Sequence, residues 1–183
     1  MGRDPRLRSR LLIGAIAGIA GTVAMTSAMA RLHRRLPPSE RYPLPPREIV
    51  ETVAAKAGAA LDDEAAKDAT TAAHFAYGAA AGAAIAAATV RPGAGGGAAA
   101  GVAIWMASYL GWIPGAGILK PATLHPRGRN ALMIGAHVVW GIATARAMSE
   151  LVLARETMLR TGPLSDSARP DRAKPDRAED NKE

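Results

Sequence analysis

The sequence predicts an all-α integral membrane protein, a bundle of four membrane-spanning helices. Three observations lead to this class. Long uncharged runs recur, so we expect spans at about residues 11–30, 69–90, 97–113 and 131–149. Hydrophobic residues make up 49% of the 183-residue chain but aromatic residues only 4%, which means that the apolar content is mostly small. Basic residues flank the runs, and helices that pack closely in lipid use small residues at their contacts.

The first span follows a basic leader at residues 1–10, which contains four arginines. Its twenty uncharged residues give a helix of about 30 Å, enough to cross a hydrocarbon core. The alternative is a secretory signal peptide, because residues 28–30 read as a cleavage site. The length of the run and the three later runs favour an uncleaved transmembrane helix.

Small residues recur every fourth position in the spans, a spacing that favours close helix contact in lipid. Accidental spacing in a chain rich in glycine and alanine is the alternative. We expect these residues to support packing within the bundle, and a homo-oligomer is a further predicted use. The predicted packing residues are Gly14, Gly18, Thr22, Gly78, Gly82, Gly97, Gly101 and Gly141.

The first connector contains five prolines between residues 37 and 46, which predict extended or polyproline-like backbone. A short amphipathic helix is expected at about residues 47–57, with Gly58 able to end it. Such a helix fits the bilayer surface or the mouth of the bundle, and docking on a partner protein is the alternative.

The remaining boundaries come from capping and composition. Asp62 predicts a helix start, and Asn130 is a candidate N-cap for the fourth span. Trp105, Tyr109 and Trp112 predict an aromatic belt at one interface, after which Pro114 ends the helix. Residues 11–155 would form the membrane domain, and the polar residues 162–183 a disordered tail.

An internal repeat relates the two halves. GAIAGIA at residues 14–20 matches GAAAGVA at 97–103, and the pattern His-x-x-aromatic-Gly occurs at 74–78 and again at 137–141. The shared order suggests two tandem helical hairpins in a parallel repeat, with a pseudo-two-fold axis along the membrane normal. Chance similarity between alanine-rich segments is the alternative.

The repeat brings His74 and His137 into helices that enter from the same face. Ser108, Tyr109 or a backbone carbonyl could partner His137, and Arg146 lies farther along the same helix, where it can reach the headgroups. The residues fit a neutral histidine bonded between helices, a proton-responsive or substrate-lining site, or a two-histidine metal site. We treat them as a candidate polar site and predict no metal.

No catalytic or cofactor-binding residue is predicted, and we expect the protein not to be an enzyme. The chain has no cysteine and lacks H-E-x-x-H and G-x-S-x-G motifs. Residues 93–98 match G-x-G-x-x-G/A, but a helix rather than a strand precedes them, so no dinucleotide site is expected. The net charge of +7 is assigned to anionic lipid headgroups and not to nucleic acid.

Two segments carry a resemblance to a known family. P-L-P-P-R at residues 43–47 and G-A-H-V-V-W at 135–140 resemble the corresponding segments of YagU-like proteins, which are small bacterial inner-membrane proteins. The last segment has one extra residue between Gly and His, and the resemblance covers roughly residues 11–148. It implies a helical inner-membrane protein of unassigned activity and supplies no catalytic residues.

Together these observations predict a multi-pass inner-membrane protein with a structural or envelope-homeostasis role. Its expected partner is the lipid bilayer. The alternative is a transporter or channel subunit with a histidine-lined polar cavity. Four spans place both termini on one side, and the basic residues favour the cytoplasmic side.

Overall fold

A computed structural model describes residues 5–41 and 45–162, and this part of the chain is helical without strands. The parts of the predicted leader and tail at residues 1–4 and 163–183 lie outside the described residues. The helices are α1 (Pro5–His33), α2 (Pro45–Lys56), α3 (Asp63–Ala88), α4 (Gly93–Met106), the single turn α5 (Ile113–Gly115) and α6 (Arg127–Glu156). A π-helix, Ala107–Trp112, joins α4 to α5.

Three of these helical segments are long and apolar enough to cross a membrane: Arg6–His33, Gly93–Gly115 and Arg127–Glu156. They overlap the first, third and fourth predicted spans. The predicted span in α3 is not among them. The uncharged part of α3 consists mainly of alanine and glycine, which are weakly apolar, and His74 and Tyr77 interrupt it.

The four long helices lie in the spatial order α3, α1, α6, α4. Helix α1 packs on α3 and on α6, α4 packs on α6, and α2 lies against α3. Glycines near the start of α1 contact the end of α3, so these two helices are antiparallel. The same relation holds for α4 with α6 and for α1 with α6, and α1 and α4 therefore run in the same direction.

Backbones touch where the small residues meet. A Cβ at Gly18 would fall on the carbonyl oxygen of Gly78, and a Cβ at Gly141 would fall on that of Gly97. Only glycine allows so close an approach at these positions. The faces predicted to pack thus meet inside one chain, in the α1–α3 hairpin and in the α4–α6 hairpin.

The two hairpins differ in register by one helical turn. In the first, Gly14 meets Gly82, one turn beyond Gly78. In the second, Gly97, the counterpart of Gly14, meets Gly141, the counterpart of Gly78. The related sequence patterns therefore pack with a four-residue offset.

Two helix ends have the predicted capping residues, and a third does not. The side chain of Asp62 accepts a hydrogen bond from the amide of Ala65 at 2.8 Å, and Gly58 ends α2 with a φ of +76°. Helix α6, however, begins at Arg127, so the predicted N-cap at Asn130 is wrong. Asn130 lies within the first turn and donates to the carbonyl of Ala122 at 2.7 Å.

The predicted aromatic belt is also wrong for two of its three members. Trp105 and Tyr109 are buried and stack with ring centroids 6.3 Å apart, whereas Trp112 is 47% exposed. Positions four residues apart share one helix face, and here that face is the inner one. The predicted end at Pro114 is correct to within one residue, because the last turn, α5, ends at Gly115, and before it Gly111 leaves helical geometry.

Candidate functional site

A cavity of about 110 Å³ lies between α3 and α4. It has room for about three water-sized molecules or one small solute, since a water takes about 30 Å³ in the liquid. Tyr77 and Trp112 line it and are 44% and 47% exposed, so they form its mouth. Its other polar and aromatic lining residues are Thr22, His74, Ser108, Tyr109, His137 and Trp140.

The two seams differ at one aligned position of the repeat. Extending the alignment of GAIAGIA with GAAAGVA by one residue pairs Gly21 with Ile104. Gly21 allows α6 to approach α1 so closely that an added Cβ would lie 2.9 Å from the carbonyl oxygen of Trp140. Ile104 occupies the matching place on α4 and lines the cavity. The α1/α6 seam is closed, and the equivalent α3/α4 seam is held open.

His137 is buried against its own helix. Its Nδ1 donates to the carbonyl of Met133 at 2.8 Å, which places the proton of the neutral ring on Nδ1 and leaves Nε2 as an acceptor. Its ring meets the ring of Tyr109 edge-on, with centroids 6.3 Å apart. Of the partners proposed from the sequence, a backbone carbonyl therefore takes the hydrogen bond, and Tyr109 provides a ring contact.

His74 lies on α3 between this cavity and a second groove beside α1. Its Nε2 is buried and has no hydrogen-bond partner among the described residues. A buried nitrogen without a partner costs free energy, so this imidazole is available to a polar group that enters either space.

Two side chains that line the cavity, Tyr77 and Trp140, form hydrogen bonds to neighbouring helices. Tyr77 and Ser108 are joined through their hydroxyl oxygens at 2.8 Å, which links α3 to the π-helix. On the opposite wall Nε1 of Trp140 donates to Oγ1 of Thr22 at 3.2 Å and to the carbonyl of Gly18 at 3.3 Å. Tyr77 and Trp140 occupy the same place in the repeated motif, one at the open seam and one at the closed seam.

The π-helix supplies one wall of the cavity. Short π segments inside α-helices occur frequently at functional sites because they change the direction of side chains. Here the segment Ala107–Trp112 contributes Ser108, Tyr109 and Trp112 to the lining.

Helix α2 covers one end of the cavity, where Pro46 and Ile49 contribute to the lining. An ion pair ties it to the start of α6, and a hydrogen bond ties it to the segment after α5. Glu48 accepts a hydrogen bond from Arg129 at the start of α6, and both side chains are largely buried. Near its other end, Lys56 donates to the carbonyl of Ala116 at 2.7 Å.

The attachment of α2 to α3 is exposed. Arg47 donates to Glu51 and to Asp63, each at 2.7 Å. Hydrogen bonds from Lys67 and then Arg47 hold the pKa of Asp63 below its usual value, and those to Asp63 and Glu51 raise the pKa of Arg47. Exposed pairs of this kind contribute little to stability. Helix α2 thus packs mainly on α3, where its ion pairs are exposed, and is joined to α6 by one largely buried ion pair.

The structure brings together four of the five residues of the candidate polar site: His74, His137, Ser108 and Tyr109 all line the cavity. Arg146 does not, because it lies nine residues beyond His137 on α6 and its side chain is exposed. Of the predicted packing residues, Thr22 and Gly78 also line the cavity.

Sequence reasoning missed the roles of Tyr77 and Trp140, whereas α2 covers one end of the cavity, in agreement with the predicted place at the mouth of the bundle. The shared His-x-x-aromatic-Gly pattern contained the signal for the first two, since the aromatic residue one turn after each histidine also lines the cavity. No group of three or more histidine or acidic residues that could hold a metal ion occurs in the described ranges. Comparisons with protein-family models, curated proteins and solved structures find no match.

Proposed function

We propose that the protein is a four-span integral membrane protein with a structural, non-catalytic role. In this proposal α3 crosses the membrane in addition to the three long apolar helices. The observation that supports this is the antiparallel backbone contact of α3 with α1, at Gly78 and Gly82. Because α1 is long and apolar enough to cross a membrane, a helix packed along it would cross the same layer. Residues 69–88 of α3 carry no charge and extend about 30 Å.

The experiment that tests this arrangement uses the absence of cysteine from the chain. One cysteine replaces Ala59, after α2, and another is appended after residue 183. Four spans place these two positions on opposite sides of the membrane, and a membrane-impermeant thiol reagent then labels only one of them in sealed vesicles. If α3 did not cross, both positions would be labelled from the same side.

The same assay tests the proposed orientation. We propose that both termini are cytoplasmic and that the membrane is a bacterial inner membrane, as the resemblance to YagU-like proteins implies. The cysteine after residue 183 should then be protected in intact cells, and Ala59→Cys should be labelled. A proposed homo-oligomer would need another surface, since the glycine faces are occupied by contacts inside one chain.

The cavity favours a second candidate function, a transporter or channel subunit for a small solute. It lies next to both predicted histidines and opens at the seam between α3 and α4. Proteoliposomes with an enclosed pH-sensitive dye would detect proton flux, which should fall in His137→Ala. His125→Ala is the matched control, because His125 does not line the cavity and its ring bonds to the carbonyl of Lys120. Equal flux in all three proteins and in empty liposomes would exclude proton transport.

A further inference from the structure

A groove of about 490 Å³ lies at the end of the bundle where α1 begins and α3 and α6 end. It is at the opposite end from α2. Its lining combines three arginines with three aliphatic residues, namely Arg6, Arg10, Arg155, Ile13, Val90 and Val152. Positive charge and apolar surface are thus side by side in one concave site.

Arg10 is held in place by neutral backbone groups. Its Nε donates to the carbonyl of Ala86 at 3.0 Å, and one terminal nitrogen donates to the carbonyl of Ala87 at 2.9 Å. A guanidinium has five N–H donors, so three remain. No carboxylate of the described residues pairs with Arg10, and its charge is therefore fixed in position without being neutralised.

The one acidic residue in the groove is already paired. Both carboxylate oxygens of Glu156 accept from Arg91, at 3.1 and 3.2 Å. Arg91 belongs to the connector between α3 and α4 and is not part of the lining. This carboxylate therefore does not neutralise the charges of Arg10 and Arg155.

The aliphatic side of the groove continues into the bundle. Ile13 belongs to a buried cluster with Ala17, Ala86 and Met148, and Val90 and Val152 pack against that cluster. The uncharged run of α1 begins at residue 11, directly after Arg10. In a membrane the arginines would therefore lie at headgroup depth, and the aliphatic residues at the depth of the first acyl carbons.

We propose that this groove is a binding site for one anionic phospholipid. Arginines contact phosphate oxygens in a planar, bidentate geometry, and the aliphatic residues contact the start of the acyl chains. Free inorganic phosphate would leave the aliphatic half of the site without a role. The proposal rests on the membrane insertion proposed above.

Native mass spectrometry of the full-length protein, extracted from mixed vesicles of phosphatidylglycerol and phosphatidylcholine, tests the site. We expect retention of one phosphatidylglycerol in preference to phosphatidylcholine. Arg155→Gln should weaken this retention about fivefold, since a basic residue near the surface contributes about 1 kcal/mol to anionic-lipid binding. Arg10→Gln should weaken it at least as much, although this variant also removes the contacts with α3.

Arg35→Gln is the matched control, because Arg35 is an exposed arginine at the other end of the bundle. An equal loss in Arg35→Gln and Arg155→Gln, or equal retention of the two lipids, would overturn the proposal. Complete displacement of the lipid by millimolar inorganic phosphate would also overturn it and would show a simple anion site.

Alkaline extraction of the membranes beforehand separates this proposal from the preceding one. A chain released into the soluble fraction would refute membrane insertion. A chain retained in the membrane without lipid preference would refute only the groove.

Discussion

The α1–α3 hairpin and the α4–α6 hairpin have matching small-residue faces, yet they meet each other in two different ways. At the α1/α6 seam Gly21 allows close contact, and the indole of Trp140 bonds across it. At the α3/α4 seam Ile104 separates the helices, and Tyr77 reaches across to Ser108. A parallel two-fold repeat would make these seams equal. The difference shows that two hairpins with similar small-residue faces can meet in one close seam and one open seam.

The register offset between the hairpins has the same origin. Glycine at several consecutive turns allows two helices to slide by one turn and still find a backbone contact. The neighbouring larger residues then select the register. Mutations in the two hairpins can therefore distinguish the contribution of the shared glycine contacts from that of the individual larger side chains.

The largest expected effect comes from blocking the shared contact. In Gly18→Leu the new side chain must enter the space of the Gly78 carbonyl, and in Gly101→Leu that of the His137 carbonyl. We expect each variant to lose at least about 3 kcal/mol of stability, the upper end for overpacking. Thermal unfolding in detergent, followed by circular dichroism, measures the loss.

Gly95→Leu is the control, since a Cβ at Gly95 meets no atom within 4 Å. If Gly18→Leu and Gly95→Leu melted at the same temperature, the α1–α3 contact would not stabilise the bundle. A loss in Gly18→Leu without one in Gly101→Leu would show that only the first hairpin depends on its glycine face.

The second effect distinguishes the seams. Gly21→Ile gives the closed α1/α6 seam the residue type that Ile104 has at the open seam. The Cβ of the new side chain would overlap Oγ1 of Thr144. We expect α1 and α6 to separate by at least 1 Å and stability to fall by about 1–3 kcal/mol. Spin labels on cysteines introduced at exposed positions of α1 and α6 measure the separation.

Ile104→Gly makes the opposite change. It should draw α4 towards α3, which shortens the distance between spin labels on those two helices. Unchanged distances in both variants would contradict the role assigned to this pair of positions.

Some of this comparison could be predicted from sequence, and some could not. The all-α class is confirmed, as are the three apolar helices and the start of α3 at Asp62, because hydropathy and capping act over short segments of chain. The fourfold spacing identified the small faces of the helices. It did not specify which helix would meet each face or in which register, since such spacing fits several partners.

The site was harder to predict for a local reason. The inward direction of Trp105 and Tyr109 depends on how α4 rotates against α6, and the departure of Gly111 from helical geometry separates them from the exposed Trp112. The alignment of Gly21 with Ile104 does not by itself predict that one seam will be open. Only the packed arrangement gives that substitution its consequence.

A smaller effect is expected at the indole that closes the α1/α6 seam. Trp140→Phe removes the N–H that bonds to Gly18 and Thr22 and also part of the buried ring. Trp105→Phe is the control, because Trp105 is also buried and its Nε1 has no hydrogen-bond partner among the described residues. We expect Trp140→Phe to lower stability by about 1 kcal/mol more than Trp105→Phe, the usual net value of one hydrogen bond. Equal losses in thermal unfolding would mean that the lost ring volume and not the hydrogen bond determines stability here.

The smallest effect lies at the exposed ion pair that joins α2 to α3. The pKa of Asp63 is lower in the folded chain than its usual value near 3.8. The stability contributed by its pairs is therefore fully present above pH 3.8 and is lost as the pH falls through the folded value. Helix α2 should move away from α3 on acidification, and Asp63→Asn should already show part of this displacement at neutral pH.

Spin labels at exposed positions 53 on α2 and 71 on α3 would report the displacement at pH 7 and pH 3. Glu64→Gln is the control, since Glu64 pairs with Lys67 and does not contact α2. It should leave the pH dependence unchanged, whereas Asp63→Asn should reduce it. The expected change is small because the pairs of Asp63 are exposed and α2 also packs on α3 through other contacts. If acid moved α2 equally in both variants, the link to α3 through Asp63 would not be the pH-dependent contact.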